Sequence, residues 1–198
     1  MLKLSTSQKI FLASILSKFL VFFFGSEKNV LKRIISCLQK NRFKHFVRVT
    51  GDNPLVDINA IKKLSLKHIL SNSEYTYTDS LPMGMKSEVF SLQALKKNYN
   101  KIIDLNSTEY LTYFFKRPNI YKVNKVYFKK IFKNQNKYKI SIDNKKEFDL
   151  LNKFFLSKKD IFFKRSEIIN FLKKNSRKKK INKRIKIVTN NYDARYIF

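Results

Sequence analysis

The chain has 198 residues, 43% of them hydrophobic and including 19 Phe and 10 Tyr, which is enough apolar volume for one cored domain and excludes an intrinsically disordered chain. Three Gly and three Pro exclude a collagenous or linker-dominated protein; the single cysteine, Cys37, excludes an intramolecular disulfide and a cysteine zinc cage, which fits a reducing cytoplasm. A formal charge of +29 raises nucleic acid or an anionic membrane as partners, but Lys, Asn, Ile, Phe and Tyr are over-used along the whole chain, so a solvated basic surface is the simpler reading.

Residues 1–25 imitate a secretory signal, since Lys3 and Lys9 precede an apolar run, but Lys18 interrupts that run and it is short for a bilayer. The better parsing ends a strand at Leu4, caps a helix over Gln8 to Phe19 with Ser5-Thr6-Ser7, and reads Leu20 to Phe24 as a buried strand stopped by Gly25. Ser26 then caps a helix through Val30, Leu31, Ile34, Ile35 and Leu38. His45 to Thr50 is a strand that ends at Gly51-Asp52-Asn53-Pro54, where proline cannot continue a ladder. A helix carries Ile58, Ile61, Leu64 and Ile69; Tyr75 to Thr78 and Glu88 to Phe90 read as strands, and Leu92 to Lys97 as a helix. Glu109 to Arg117 is helical, Ile120 to Val126 a strand, and Lys137 to Ile142 a strand that delivers Asp143. Lys145 to Phe155 is a helix with Phe148, Leu151 and Phe155 on one side, Ser166 to Leu172 is a further helix, and Lys173 to Lys186 is basic. Strands alternating with helices predict an α/β domain with a mostly parallel sheet over residues 1–186, followed by a tail, 187–198.

Two carboxylates stand out, because each follows an apolar strand. In open α/β sheets ligands sit beyond the carboxyl ends of the strands, so Asp52 and Asp143 are placed to give oxygen ligands to a magnesium ion on a nucleotide. The alternatives are structural: Asp52 as the acid of an ordinary turn, Asp143 as a helix cap. A shared site requires the two segments to be neighbours, which spacing alone does not establish.

Arg48-Val-Thr-Gly-Asp-Asn-Pro-Leu-Val-Asp57 resembles the "RVTGDCPLID" segment of the spore-coat-polysaccharide-type cytidylyltransferases, relatives of the acylneuraminate enzymes. Phe24 to Arg33 is similar to their "RGSEDDVLDRY", Gly84 to Phe90 to "GLDVEVF", Glu109 to Thr112 to "EHVT", and Ser141 to Leu150 to "TVDTPEDLEL", in collinear order. The resemblance implies a Rossmann-like, three-layer nucleotide-diphosphosugar transferase fold and transfer of CMP from CTP to a sugar acid or related sugar. It implies that Asp52 and Asp143 hold Mg2+, that Gly25, Ser26, Arg33 and Gly51 approach the nucleotide, and that Glu88 lies near the acceptor sugar. Lys86 and Ser87 depart from the pattern, standing where the family has an acid and an apolar residue. The family's opening strand and "RLPGK" phosphate loop have no counterpart before Leu2, so the expectation is a chain without turnover on its own, with the loop supplied by a second chain or a homodimer. The competing readings are a nucleic-acid-binding module using Lys173 to Lys186 and a membrane-tethered protein led by residues 1–25.

Overall fold

A computed structural model describes residues 23–101, 111–130, 138–157 and 163–176. Their elements in chain order are α1 (Val30–Lys40), β1 (His45–Arg48), α2 (Ile58–Leu70), β2 (Tyr75–Tyr77), β3 (Glu88–Ser91), α3 (Leu92–Tyr99), α4 (Leu111–Phe115), β4 (Val123–Lys125), α5 (Lys145–Leu156) and α6 (Arg165–Ser176). No helix among the described residues is long and apolar enough to cross a membrane. The predicted helix over Gln8 to Phe19 and the basic segment beyond Ser176 lie outside the described residues, as does most of the predicted Leu20 to Phe24 strand. Of that strand Phe23 and Phe24 are seen; neither is in a strand, and Phe24 is 90% exposed where burial was expected.

The first two helices are specified at both ends. Asn29, not Ser26, caps α1: its side chain accepts the Lys32 N–H, while the Ser26 hydroxyl accepts the Asn29 N–H at 2.9 Å one turn earlier. Leu31, Ile35 and Leu38 then form the buried stripe. Asp57 caps α2 through the Ala60 N–H at 3.0 Å. Both helices finish on a residue with positive φ, Arg42 (57°) and Asn72 (46°), and the next N–H returns to the last turn, Phe43 to the Leu38 carbonyl and Ser73 to that of His68. These turns feed β1 and β2.

The strands form one sheet in the order β1-β3-β2-β4. β1 and β2 each pair antiparallel with β3, and β2 pairs parallel with β4, so the mostly parallel sheet expected from sequence is a mixed one among the described residues. The reason lies between Tyr77 and Glu88, where there is no crossover helix to bring the chain back to the same end, and β3 therefore returns reversed. β1, β2 and β4 still share one direction.

Register sorts the two faces. Phe46, Phe90, Tyr75 and Val123 are paired across the four strands and pack under α1, α3 and α4 with Leu31, Leu95, Leu111 and Phe115. Val47 and Val89 face the other way, onto Leu64 of α2. Helices thus cover both faces. A third cluster joins Leu55, Leu81, Met85 and Ile140 to Leu151 and Phe154 of α5 and to Ile168, Ile169 and Leu172 of α6.

Two predicted features in this last region differ. The strand expected over Lys137 to Ile142 is, among its described residues, a single parallel bridge between Lys139 and Met83. Gly84, at φ +93°, explains the close approach: a Cβ there would lie 2.5 Å from the Ser141 nitrogen and 2.6 Å from the Ile140 carbonyl carbon. On α5, Leu151 and Phe154 are the buried residues and Phe148 is exposed. Asn144 caps this helix, and Glu147, bonded to the Asp143 N–H and the Lys139 ammonium, fixes its rotation so that Phe148 turns outward.

Candidate nucleotide and acceptor site

The carboxyl ends of β1, β2 and β4 open on one side, and the predicted residues gather there. Thr50 and Asn53 close a turn after β1, with the Asn53 N–H on the Thr50 carbonyl at 3.1 Å and the Asn53 amide on the Thr50 hydroxyl at 2.6 Å. The turn exposes Asp52, whose backbone carbonyl accepts the N–H of Ile142 at 2.8 Å. Because Asp143 follows Ile142, the two acid-bearing segments are hydrogen-bonded neighbours, which spacing alone left open. The Met83 N–H to Tyr138 carbonyl (3.1 Å), Ile140 N–H to Met83 carbonyl (2.8 Å) and Asp57 N–H to Met85 carbonyl (3.2 Å) lace the same three segments together.

The carboxylates themselves share no side-chain partner among the described residues. Asp143, half exposed, is paired with the Lys139 ammonium, which also binds Glu147 at 2.7 Å. Burial would lower the Lys139 pKa, but the two acids outweigh it and hold the ammonium above its ordinary value.

Gly25, Ser26 and Arg33 are brought together at the start of α1. The Arg33 guanidinium donates to the Ser26 carbonyl at 3.1 Å, and its stem lies against Gly25, where a Cβ would be 2.8 Å from the Arg33 Cγ. Arg33, Phe46, Arg48, Thr50 and Gly51 line an open cleft of about 640 Å3 between α1 and the end of β1. At Gly51 a Cβ would meet nothing within 4 Å, so neither packing nor positive φ demands glycine there; its open side faces away from the protein's own atoms. A groove of about 500 Å3 along β4, lined by Lys63, Lys67 and Tyr127, holds no carboxylate and none of the predicted residues.

Glu88 opens β3 directly opposite Arg48, and their side chains meet at 3.4 Å. Its other oxygen accepts hydrogen bonds from the Tyr75 hydroxyl and, at 2.8 Å, from the Thr112 hydroxyl. Burial, then the Glu88 charge, push the Tyr75 phenol well above its ordinary pKa, so it stays a donor. Glu88 is therefore engaged by Tyr75, Thr112 and Arg48, and Arg48, which also lines the cleft, connects it to the cleft wall.

The family model for cytidylyltransferases matches residues 11–187. The chain belongs to the cytidylyltransferase family. It is 35% identical over 170 residues to an uncharacterized protein of Methanocaldococcus jannaschii, covering 83% of this chain and 68% of that protein. It is 27% identical over 142 residues to the spore coat polysaccharide biosynthesis protein SpsF of Bacillus subtilis, covering 67% of this chain and 56% of SpsF. A solved cytidylyltransferase structure from Leptospira borgpetersenii shares the fold, with a TM-score of 0.71 at 19% identity over 87% of this chain and 74% of that one.

Sequence reading of this family member missed the residues around Glu88. Tyr77, one residue beyond the Thr76–Val89 pair, is opposite Lys125, and Asp79 beyond it binds Lys116 at 3.0 Å and Lys125 at 3.1 Å. Lys116 also lies over the Tyr77 ring at 4.4 Å. Burial alone would raise the Asp79 carboxyl, but the two ammonium donors outweigh it and hold it below the usual carboxylate range. The available signal was the alternation Tyr75, Tyr77, Asp79 against Lys86, Glu88, Phe90, which puts each set on one face.

Proposed function

We propose that this chain binds CTP as its magnesium complex in the cleft between α1 and β1 and transfers CMP to a hydroxyl of a sugar held at the Glu88 end. The observation that carries this reading is the Ile142 to Asp52 backbone hydrogen bond, because it makes neighbours of the two acid-bearing segments beside Gly51, which lines the cleft with Arg33.

The donor set fits magnesium. Asp52 and Asp143 offer hard carboxylate oxygens, both open to solvent, and no group of three or more His, Cys, Asp or Glu forms among the described residues. Two carboxylates completed by water and phosphate is the usual arrangement for this ion. When bound, magnesium neutralises charge on the triphosphate.

The chain's own groups do the remaining work. Arg33 and Arg48 present guanidinium donors of the geometry that grips phosphate oxygens. Glu88, pinned by Tyr75, Thr112 and Arg48, is an acceptor that orients a sugar hydroxyl. The reaction forms a bond from that hydroxyl oxygen to the α-phosphorus and breaks the α–β phosphoanhydride, with pyrophosphate leaving and the hydroxyl proton passing to solvent or buffer. Positioning of the two reactants accounts for most of the acceleration in such chemistry. The similarity to SpsF, a spore coat polysaccharide biosynthesis protein, supports a place for the product in polysaccharide assembly.

Titration calorimetry with CTP in magnesium and in EDTA tests the reading. Wild type is expected to bind CTP only with magnesium, and Asp52→Asn, a change at an exposed position, to fold normally and lose that dependence. Equal CTP affinity for both proteins in magnesium would overturn the role of Asp52.

A further inference from the structure

The outward face of α2 carries apolar side chains that no described residue covers. Ala60, Leu64 and His68, each about one turn from the next, point into the protein, so Ile58, Leu66, Ile69 and Leu70 fall on the solvent side, all more than half exposed. A surface helix ordinarily presents polar residues there. Exposed apolar residues scattered singly need no explanation, but these four share one face, with Lys62 between Ile58 and Leu66 and with Lys63 and Lys67 along its flank. The groove along β4 continues this surface. It sets Leu70, Lys63 and Lys67 beside Tyr127, which is also more than half exposed and whose carbonyl accepts from the Lys63 ammonium at 3.3 Å. Neither 58–73 nor 122–130 contains an acid, and among the described residues no carboxylate pairs with Lys62, Lys63 or Lys67. Of the groove's lysines only Lys125 meets one, Asp79.

We propose that this face docks on an anionic phospholipid bilayer, with Leu66, Ile69 and Leu70 entering the acyl boundary and Lys62, Lys63 and Lys67 reaching the headgroup phosphates. The mixture of chemistries decides the partner. Aliphatic side chains do not stack on bases as aromatic rings do, which disfavours nucleic acid. Lysine is depleted from protein–protein interfaces, whereas helices that lie in a lipid surface combine it with leucine, its long stem covering apolar neighbours while the ammonium stays at the water boundary. A second copy of the chain would set lysine against lysine. The contact is superficial, because no helix among the described residues is long and apolar enough to cross the bilayer. α1 and α2 cover opposite faces of the sheet, so docking through α2 leaves the cleft beside α1 open, and membrane binding is independent of what that cleft holds.

The chain contains no tryptophan, so a single introduced ring reports from one place. Full-length Leu70→Trp and a control, Gln93→Trp at an exposed position of α3 on the other side of the sheet, are mixed with vesicles of phosphatidylcholine alone or of phosphatidylcholine and phosphatidylglycerol in equal parts. On the anionic vesicles the Leu70→Trp emission should move to the blue and be quenched by brominated acyl chains, and Gln93→Trp should do neither. Co-sedimentation measures the strength. Each lysine near an anionic surface contributes about 5-fold, so Lys62→Gln with Lys67→Gln should weaken binding by about 25-fold. Leu66→Gln with Leu70→Gln should weaken it by about 10-fold or more, a loss that charge elsewhere on a +29 chain does not produce. Gln is as good a helix former as Leu and Lys, so both pairs should keep the wild-type thermal midpoint; if either lowers it, the two tryptophan variants decide. Wild type that does not bind anionic vesicles, a leucine pair that binds them as wild type does, or equal responses from the two tryptophan variants overturns the proposal. Polyuridylate binding that the lysine pair weakens while vesicle binding stays unchanged overturns it in favour of nucleic acid, and a dimer abolished by the leucine pair, without vesicle binding, in favour of a second copy.

Discussion

Gly84→Ala is the substitution whose cost the structure fixes most closely. An L residue at φ +93° carries a penalty on the order of 1–2 kcal/mol. The new methyl would stand 2.5 and 2.6 Å from backbone atoms of Ser141 and Ile140, which cannot rotate away as a side-chain tip can. Relief requires the 138–142 segment to retreat by about 1 Å to reach ordinary contact, and that stretches the Met83 to Tyr138 and Ile140 to Met83 hydrogen bonds, worth about 1 kcal/mol each, out of range. The sum is about 3–4 kcal/mol, a large share of the roughly 5–15 kcal/mol that stabilises a domain. Urea denaturation followed by circular dichroism measures it, with Gly51→Ala as the control, since a Cβ there meets nothing and should cost within about 0.5 kcal/mol. The same retreat separates Ile142 from Asp52, so the variant should also bind magnesium CTP more weakly at temperatures where it is folded. A Gly84→Ala protein within about 1 kcal/mol of wild type would refute the argument that this contact holds the two acids side by side.

Other outcomes follow from single groups. The Ser87 hydroxyl is buried with no hydrogen-bond partner among the described residues, so Ser87→Ala should stabilise the chain by about 1 kcal/mol in the same urea assay. Arg42 occupies a left-handed helix end, and Arg42→Gly should raise stability by roughly 1 kcal/mol, read as an increase in thermal midpoint. His68 is fully buried between His45 (3.1 Å) and Thr76 (2.9 Å); burial, then the His45 charge, depress its pKa to about 4. The unfolded chain takes up this proton near pH 6.5 and the folded one only near 4, so the contribution is complete above about 6.5 and is lost as pH falls toward 4, by up to about 3 kcal/mol. His68→Gln should flatten stability between those values, and an unchanged pH slope would refute the assignment.

Elements with strong local signals were legible in the sequence. The stripe Leu31, Ile35, Leu38 gives α1 its place, the periodic Ile58, Ile61, Leu64 and Ile69 give α2 its place, and the Gly51 to Pro54 turn follows β1 as its composition requires. What the sequence left open depends on partners distant in the chain. The reversal of β3, the replacement of a strand near Lys139 by one bridge, and the outward turn of Phe148 are all set by contacts between segments, and periodicity within a segment carries no trace of them. The candidate site divides the same way. Asp52 and Asp143 were legible as acids after apolar runs and Glu88 only through the family resemblance, whereas Lys116 and Lys125 meet on Asp79 only because β2, β4 and the end of α4 come together there.

Arg48 pairs with Glu88 and Tyr77 with Lys125, and continuing the Thr76–Val89 register by one residue sets Glu88 beside Tyr77, so the four form a row across the sheet. Its three intervals are therefore inter-strand spacings of about 4.8 Å each, some 14 Å in all, set by backbone hydrogen bonds. The sheet acts as a ruler that starts at Arg48 on the cleft wall. Exchanging any one of these side chains alters the chemistry at one graduation without moving the others, so the Lys125 end of the row can diverge while its distance from Arg48 stays constant.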